Sequence, residues 1–225
     1  MESLLSSIKI NVGSHLYIKD PESSDLGQNI ISHSIELINE LGIEKFNFNK
    51  LGKYIQSNES SIYRYFENKY KLLQYLSAMY WGIIEYRLVI ETNAIEDNNT
   101  KLLKAIKILT LEPKNIDSYS DYNQLKLRDI IIDEFTKSYH HKDVDNDNDE
   151  GNFKIYKRLI LRLVEMIKNV NPEYKYPKAL SCHIVEGVLQ QYYIQRHFKS
   201  LSDHKTENQV YNFFEDTITK VLNPK

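Results

Sequence analysis

The sequence predicts an all-α fold of eight to ten helices, and three observations support this prediction. The 225-residue chain contains only seven Gly and five Pro, so long uninterrupted helices are easier to build than short strands joined by tight turns. Apolar residues recur at spacings of three and four along most of the chain. We find neither a segment with the alternating pattern of a strand nor an internal repeat.

Composition indicates a folded cytoplasmic protein without a membrane segment. The hydrophobic fraction of 41% and the charged fraction of 27% are typical of chains that bury a core. The single cysteine, Cys182, can form no internal disulfide, which suits a reducing compartment. We see no signal peptide and no apolar run approaching the length of a transmembrane helix. The net charge of −2 creates no overall basic field, so any nucleic-acid function must rest on local geometry.

The N-terminal part predicts an arm followed by a first helix. Residues 1–24 show little periodicity, and Ser24 or Asp25 is a competent N-cap. The helix should stop at Gly42, because glycine readily adopts the conformation that ends a helix. Its buried face is predicted to consist of Ile30, Ile31, Ser34, Leu37, Ile38 and Leu41.

Two short helices follow the first one. Asn47 is a suitable N-cap for a helix that carries Phe48, Leu51 and Ile55. After two or three further residues, Asn58 caps a third helix over residues 59–66. Two short helices joined by such a brief turn indicate a helix-turn-helix.

The remainder of the chain predicts longer helices. The acidic run over residues 143–151 is polar throughout, and we expect it to be a mobile loop. Helices are expected from residue 69 to about 97, and over residues 102–111, 122–140, 152–168, 177–198 and 206–222.

One segment resembles a known family. Residues 30–42 look like a first helix, residues 47–55 like a scaffold helix, and residues 60–73 (SSIYRYFENKYKLL) like a recognition helix with the start of a fourth helix. Together these blocks resemble the DNA-binding region of the tetracycline-repressor (TetR) family. The resemblance implies a DNA-binding domain over residues 25–72, which we call the reading head, and a helical ligand-binding and dimerisation domain over residues 73–225.

The resemblance and helix-turn-helix geometry together predict the DNA contacts. The start of the second helix of such a motif enters the major groove, so Asn58, Glu59, Ser60 and Ser61 should meet base edges. Tyrosine hydroxyls and a lysine at the next helix start can contact phosphates. The full predicted set is Asn47, Asn58, Glu59, Ser60, Ser61, Tyr63, Arg64, Tyr65 and Lys69. The alternative is that the asparagines are only caps, Tyr63 only a core aromatic and Lys69 only a solvated charge.

Two features depart from the family pattern. The turn usually carries Gly where one residue needs a positive φ, and Gln56 stands there instead, at a cost of about 1 kcal/mol or a different turn. Charge also differs: residues 25–76 contain as many acidic as basic side chains. We therefore expect weak nonspecific affinity for DNA.

Residues 73–225, which we call the body, should bind a second copy of the chain and a small molecule. Its last two helices carry broad apolar faces, and Gly187 permits close helix approach; the alternative is that these helices are simply buried in a monomer. The predicted dimer interface is Ile184, Val188, Tyr192, Phe213, Phe214 and Ile218. An aromatic-lined pocket for an apolar effector is predicted at Tyr80, Trp81, Ile84, Phe135 and Tyr156.

Other chemistry finds little support. The acidic run lacks the Gly and Glu positions of a calcium loop, His140 and His141 point to different sides of a helix, and Cys182-His183 has no partner at a readable spacing. We expect no metal, no cofactor and no enzymatic activity. The sequence predicts a regulator, a repressor whose operator binding a small molecule relieves. The alternatives are an all-helical interaction protein that no longer binds DNA and, more remotely, a small-molecule enzyme.

Overall fold

The structure is a computed structural model that describes residues 10–111 and 122–223. Across these ranges it contains ten α-helices and no strand, which confirms the all-α prediction. The helices divide between two compact units. Unit 1 comprises residues 10–82 and 122–154, and unit 2 comprises residues 83–111 and 155–223.

The helices are numbered in chain order and are connected by loops and short 3₁₀ turns. Their bounds are α1 Asp25–Lys45, α2 Phe48–Tyr54, α3 Glu59–Tyr63, α4 Lys69–Thr92, α5 Asn98–Thr110, α6 Gln124–Glu134, α7 Val144–Glu150, α8 Lys154–Val170, α9 Pro177–His197 and α10 Glu207–Leu222.

The caps of the first two helices agree with the sequence. The Ser24 hydroxyl accepts a hydrogen bond from the Gly27 N–H at 3.3 Å, so Ser24 is the N-cap of α1. The Asn47 side chain accepts from the Lys50 N–H at 2.9 Å and caps α2. Gly42 has φ 73° and ψ 156°, which confirms the predicted break, although three further residues belong to α1.

The prediction of a loop over residues 143–151 was wrong, because this segment contains α7. Acidic side chains in the first turn of α7, among them Asp147, favour its positive dipole end. Gly151, with φ 94°, ends the helix in the left-handed conformation. The only buried side chain of α7 is Asp147. An apolar stripe therefore does not hold this helix in place, and the periodicity argument could not find it.

Asp147 anchors α7 through charged hydrogen bonds. Its carboxylate accepts from the Lys71 ammonium at 2.8 Å and from the Gln74 amide at 2.5 Å, and Asn152 donates to Gln74 at 3.0 Å. Burial would raise the pKa of Asp147, but the hydrogen bonds from Lys71 and Gln74 and the charges of Lys71 and His141 outweigh burial and lower it. Asp147 thus remains ionised and bonded at neutral pH.

Unit 1 extends well beyond the predicted reading head of residues 25–72. The buried Glu134 carboxylate at the end of α6 accepts from the Ile43 N–H at 3.0 Å, and Lys126 forms an ion pair with Glu36 on α1. Since α6 and α7 bond to α1 and α4, residues 122–154 cluster with the reading head. Sequence periodicity contains no information about such polar contacts between distant segments.

Unit 2 is a helical bundle in which α5, α9 and α10 pack on one another. A Cβ atom built on Gly187 would lie 3.1 Å from the Phe214 ring, so the small residue on α9 lets the ring of α10 approach closely. The predicted helices at 152–168, 177–198 and 206–222 correspond to α8, α9 and α10 with end shifts of a few residues. None of the helices in the described residues has the length and apolar character needed to cross a membrane.

We expect Asp147→Asn to lower the free energy of unfolding at pH 7 by about 1–2 kcal/mol, because the amide loses a charge-assisted bond to Lys71. The folded-state pKa of Asp147 is depressed, so its stabilisation exists above the unfolded pKa of about 3.9 and disappears as pH falls through the folded value. Urea unfolding at pH 7 and below pH 4 measures both effects.

The matched control is Asp149→Asn on the exposed side of the same helix. It should change stability by less than about 0.5 kcal/mol. Equal destabilisation by the two substitutions would contradict the role assigned to Asp147.

Candidate DNA-binding site

The turn between α2 and α3 closes tightly on Gly52. The Gly52 carbonyl accepts from the Ser57 N–H at 2.8 Å. A Cβ atom at position 52 would lie 2.8 Å from the Ser57 carbonyl oxygen, closer than such atoms normally approach. Only glycine fits here without a shift of the backbone. Our sequence reasoning did not single out Gly52, although a glycine inside a short helical pattern was a usable signal.

Gln56 adopts the left-handed conformation within this turn. Its φ is 54°, and it is the only non-glycine residue with a positive φ in the described ranges. This confirms that the chain keeps the usual turn with glutamine in place of glycine. The side chain makes this conformation less favourable by about 1 kcal/mol.

Helix α3 is shorter than predicted. It covers Glu59–Tyr63, and the N–H groups of Tyr65 and Phe66 then both bond to the Ile62 carbonyl in a tightened last turn. Ile62 and Phe66 are completely buried. These two side chains attach α3 to the core of unit 1, as their spacing of four predicts.

The start of α3 is open to solvent. Asn58 is exposed and occupies the N-cap position with extended backbone, but its side chain makes no capping hydrogen bond there. Ser60 is exposed and Ser61 is half-buried. Glu59 accepts a hydrogen bond from the Asn49 amide of α2 at 3.2 Å. The structure thus brings together, on one accessible edge, the four residues predicted to face base edges.

Tyr63 and Arg64 continue this accessible surface. Tyr63 is 48% exposed, and its ring packs edge-on against Phe48 with a centroid distance of 5.0 Å. Arg64 follows α3 directly and is exposed. Tyr63 therefore combines a supporting contact to α2 with an accessible edge, and Arg64 is accessible beside it.

Tyr65 and Lys69, two of the residues predicted to contact phosphate, both make hydrogen bonds within the protein. Tyr65 is only 3% exposed, and its hydroxyl bonds to Ser24 at 2.8 Å and to Lys19 at 3.2 Å. The Lys69 ammonium donates to the carbonyls at the end of α1, at 2.8 Å to Ile43 and 3.1 Å to Glu44. Both groups are engaged inside the protein, which spacing in the sequence could not indicate. Asn47 is exposed but is used as the cap of α2.

Comparison with known proteins supports the same interpretation of this site. The family model for bacterial regulatory proteins of the tetR family matches residues 30–76. Residues 30–76 are thus similar to the DNA-binding region of this family. Matching of whole sequences to curated proteins finds no relative.

Solved structures of similar fold cover most of the chain. The crystal structure of AibR in complex with isovaleryl coenzyme A and operator DNA aligns with a TM-score of 0.59 at 15% identity, over 84% of this chain and 96% of AibR. Apo AibR aligns at 0.56 and 13%, over 85% and 96%. The fatty acid degradation regulator FadR from Bacillus halodurans aligns at 0.58 and 16%, over 88% and 94%. At these identities the likeness concerns the fold.

The reading head has few free cations. Residues 25–76 contain six basic side chains. Three of them are engaged within the protein: Lys69 as described, Lys71 with Asp147, and Lys50 with the Lys45 carbonyl at 2.6 Å. These three ammonium groups are therefore already held by acceptors of the protein, which makes them less available for direct contacts to phosphate.

The predicted effector pocket remains a prediction, because its residues divide between the units. In unit 1, Trp81 lies edge-on between Tyr80 and Phe135, at centroid distances of 4.9 and 5.2 Å. In unit 2, Ile84 is buried and the Tyr156 hydroxyl donates to Glu186 at 2.5 Å.

The residues of the predicted dimer interface are mostly buried within one copy of the chain. Phe213 is 42% exposed. The other five fill the core of unit 2, so their side chains are not available to a partner: Ile184, Val188, Tyr192, Phe214 and Ile218. The apolar faces of the last two helices pack mostly on neighbouring helices of the same unit. An interface on these helices must use their exposed sides.

A buried carboxylate in unit 2 escaped the sequence reasoning. Glu85 accepts from Arg158 through both oxygens, at 2.5 to 2.8 Å, and from Arg162 at 2.7 Å. Burial would raise the pKa of Glu85, but the two guanidinium groups lower it. The sequence contained a usable signal, because the acidic Glu85 directly follows the apolar pair Ile83-Ile84 within a predicted helix.

Gln56→Gly should raise the free energy of unfolding by about 0.5–1 kcal/mol, because glycine adopts a positive φ without steric cost. The gain is limited because glycine loses more conformational entropy on folding than glutamine does. Thermal and urea unfolding measure the change. Gln56→Ala is the matched control, since alanine removes the long side chain but keeps the Cβ atom. A gain of the same size in both variants would show that backbone strain at Gln56 is not the cause.

Proposed function

We propose that this protein is a ligand-responsive transcription regulator that binds operator DNA as a homodimer and is released by a small molecule. The observation that carries the proposal is the accessible edge formed by Asn58, Glu59, Ser60 and Ser61 at the start of α3. In a helix-turn-helix this edge enters the major groove. Small hydroxyl side chains there allow close approach to base edges, and Glu59 can accept from a cytosine amino group.

Phosphate contacts fall to Tyr63 and Arg64 in this proposal. Both side chains are exposed beside the start of α3. Contacts to phosphate fix the orientation of a protein on DNA but do not distinguish one base sequence from another. With so few free cations, one head gains little from electrostatics. A second head on a second half-site supplies the missing affinity, which supports a dimer.

The effector is proposed to act by favouring a conformation of the body that cannot bind the operator. Such coupling requires only that the ligand bind one conformation better than the other. AibR has been crystallised with isovaleryl coenzyme A, and FadR is a regulator of fatty acid degradation. Acyl-coenzyme A thioesters are therefore the first effectors to test.

A second candidate function is a helical interaction protein whose head no longer binds DNA. The engagement of Lys50, Lys69 and Lys71 within the protein favours it, because these are cations that a DNA-binding surface would normally present. DNA binding distinguishes the two candidates directly.

The test begins with in-vitro selection of duplexes by the wild-type protein, followed by affinity measurements at several salt concentrations. Arg64→Ala should weaken binding to every duplex and reduce the slope of log K against log salt by about 0.9, as expected for one lost phosphate contact. Ser60→Ala should instead change the preferred base at one position.

Lys175→Ala provides the control, because Lys175 is an exposed lysine of unit 2 far from this site in sequence. It should leave affinity and slope unchanged. Failure of the wild-type protein to enrich any duplex would reject the regulator and favour the interaction protein.

Effector relief is tested with the same selected duplex. Addition of a matching acyl-coenzyme A should weaken DNA binding by about 5- to 150-fold, the usual range of coupling between two sites. By reciprocity, the duplex should weaken binding of the thioester by the same factor. Thioester binding without any effect on DNA affinity would count against this mechanism.

A further inference from the structure

Residues 10–24, which we call the arm, precede the segment that matches the tetR family and are closely fitted to unit 1. Val12 and Leu16 are buried. A Cβ atom on Gly82 of α4 would lie 2.3 Å from the Ile10 side chain, and one on Gly27 of α1 would lie 2.2 Å from the Pro21 carbonyl oxygen. The arm therefore has a defined course across the unit.

Several polar contacts of the arm converge on Tyr65, which follows α3 closely in the chain. The Ile18 N–H donates to the Tyr65 carbonyl at 2.8 Å. The Lys19 ammonium donates to the Tyr65 hydroxyl at 3.2 Å and lies 5.0 Å from the centre of its ring. The Ser24 hydroxyl shares a hydrogen bond of 2.8 Å with the same phenol. Backbone and side chain of Tyr65 are thus both held by the arm.

These contacts also change the acidity of the phenol. The hydrogen bond with Ser24 lowers the pKa of Tyr65, burial works in the opposite direction, and Lys19 lowers it further. The net lowering agrees with a hydroxyl that is held by polar partners on the arm.

Helix α3 needs such an anchor because it is very short. It has five residues, and helices of this length do not persist without tertiary contacts. Ile62 and Phe66 hold its core side. The bonds to the carbonyl and the hydroxyl of Tyr65 add directional polar restraints beside this apolar contact.

We propose that the arm is a positioning element for DNA recognition, which acts through Tyr65 by fixing the end of α3. Ile18, Lys19 and Ser24 are the positioning residues. They need not touch DNA, because they act by fixing the position of the start of α3, which faces the bases. This inference rests on the proposed DNA-binding function.

The competing explanation is that Lys19 contacts a phosphate itself. The two differ in salt dependence: loss of a phosphate contact lowers the salt slope by about 0.9, whereas loss of a positioning contact lowers affinity and leaves the slope unchanged. They also differ in coupling, since a Lys19 that acts through Tyr65 loses most of its effect once the phenol hydroxyl is gone and only its contact with the aromatic ring remains.

The experiment uses Tyr65→Phe, Lys19→Met and the double variant of the full chain, with a duplex selected by the wild-type protein. Tyr65→Phe removes the hydrogen bonds of the phenol with both Ser24 and Lys19, and it should weaken binding about three- to tenfold. Lys19→Met should weaken it by no more than that. The effect of the double variant should be clearly smaller than the sum of the two single effects, and all slopes should equal the wild-type slope. Lys19 lies on the surface, so its variant tests the arm even if Tyr65→Phe fails to fold.

Amide hydrogen exchange of the free protein gives a readout that does not depend on DNA. The Ile18 N–H should exchange faster in both single variants, because its acceptor is Tyr65. Tyr17→Phe is the matched control: it removes a phenol hydroxyl from the same arm, where the Tyr17 ring packs on Tyr75, and it should change neither exchange nor affinity.

Three results would overturn the inference: unchanged DNA affinity in Tyr65→Phe, a salt slope that falls in Lys19→Met, or Ile18 exchange at the wild-type rate in both single variants. If the wild-type protein selects no duplex, the proposed function fails separately, and the exchange rates still decide whether the arm holds the end of α3.

Discussion

The reading head depends on how the end of α1 is closed. Helix ends leave carbonyl groups without partners, and here the Lys69 ammonium bonds to the carbonyls of Ile43 and Glu44. On the other side of the same turn, the Glu134 carboxylate accepts from the Ile43 N–H. Because Lys69 begins α4, one charge joins the end of α1 to the start of α4, and the chain between them forms α2, the turn and α3.

This arrangement has an electrostatic consequence. A lysine that closes a helix end keeps its charge but directs its N–H donors at carbonyls of the protein, and Lys71 forms an ion pair with Asp147. The head therefore gains rigidity from cations that could have attracted DNA. Recognition by such a head depends mainly on the placement of the α3 edge, which makes the contacts that set this placement, at Gly52, Ile62 and Tyr65, more important than in a strongly basic head.

Much of the fold and part of the candidate site could be predicted. Gly42 as a helix break, Asn47 as a cap and Gln56 at a positive φ are all local properties of the backbone, and all three agree with the structure. The accessible start of α3 also follows from the motif. Tyr65 and Lys69 were assigned to DNA because residue type and position in a motif indicate what a side chain can do, and their actual partners come from segments distant in sequence.

Periodicity and capping thus identified the helix-turn-helix and the all-α architecture, because helices form from interactions within about four residues. Long-range contacts determined the rest. The bond between Lys71 and Asp147 holds the acidic run in place as α7. Phe214 is buried in the core of a single copy of the chain, and the arm is bonded to Tyr65 at the end of α3. The physical reason is that burial and hydrogen-bond partners depend on which distant segments meet, and an amphipathic pattern is the same whether its apolar face covers its own core or a partner.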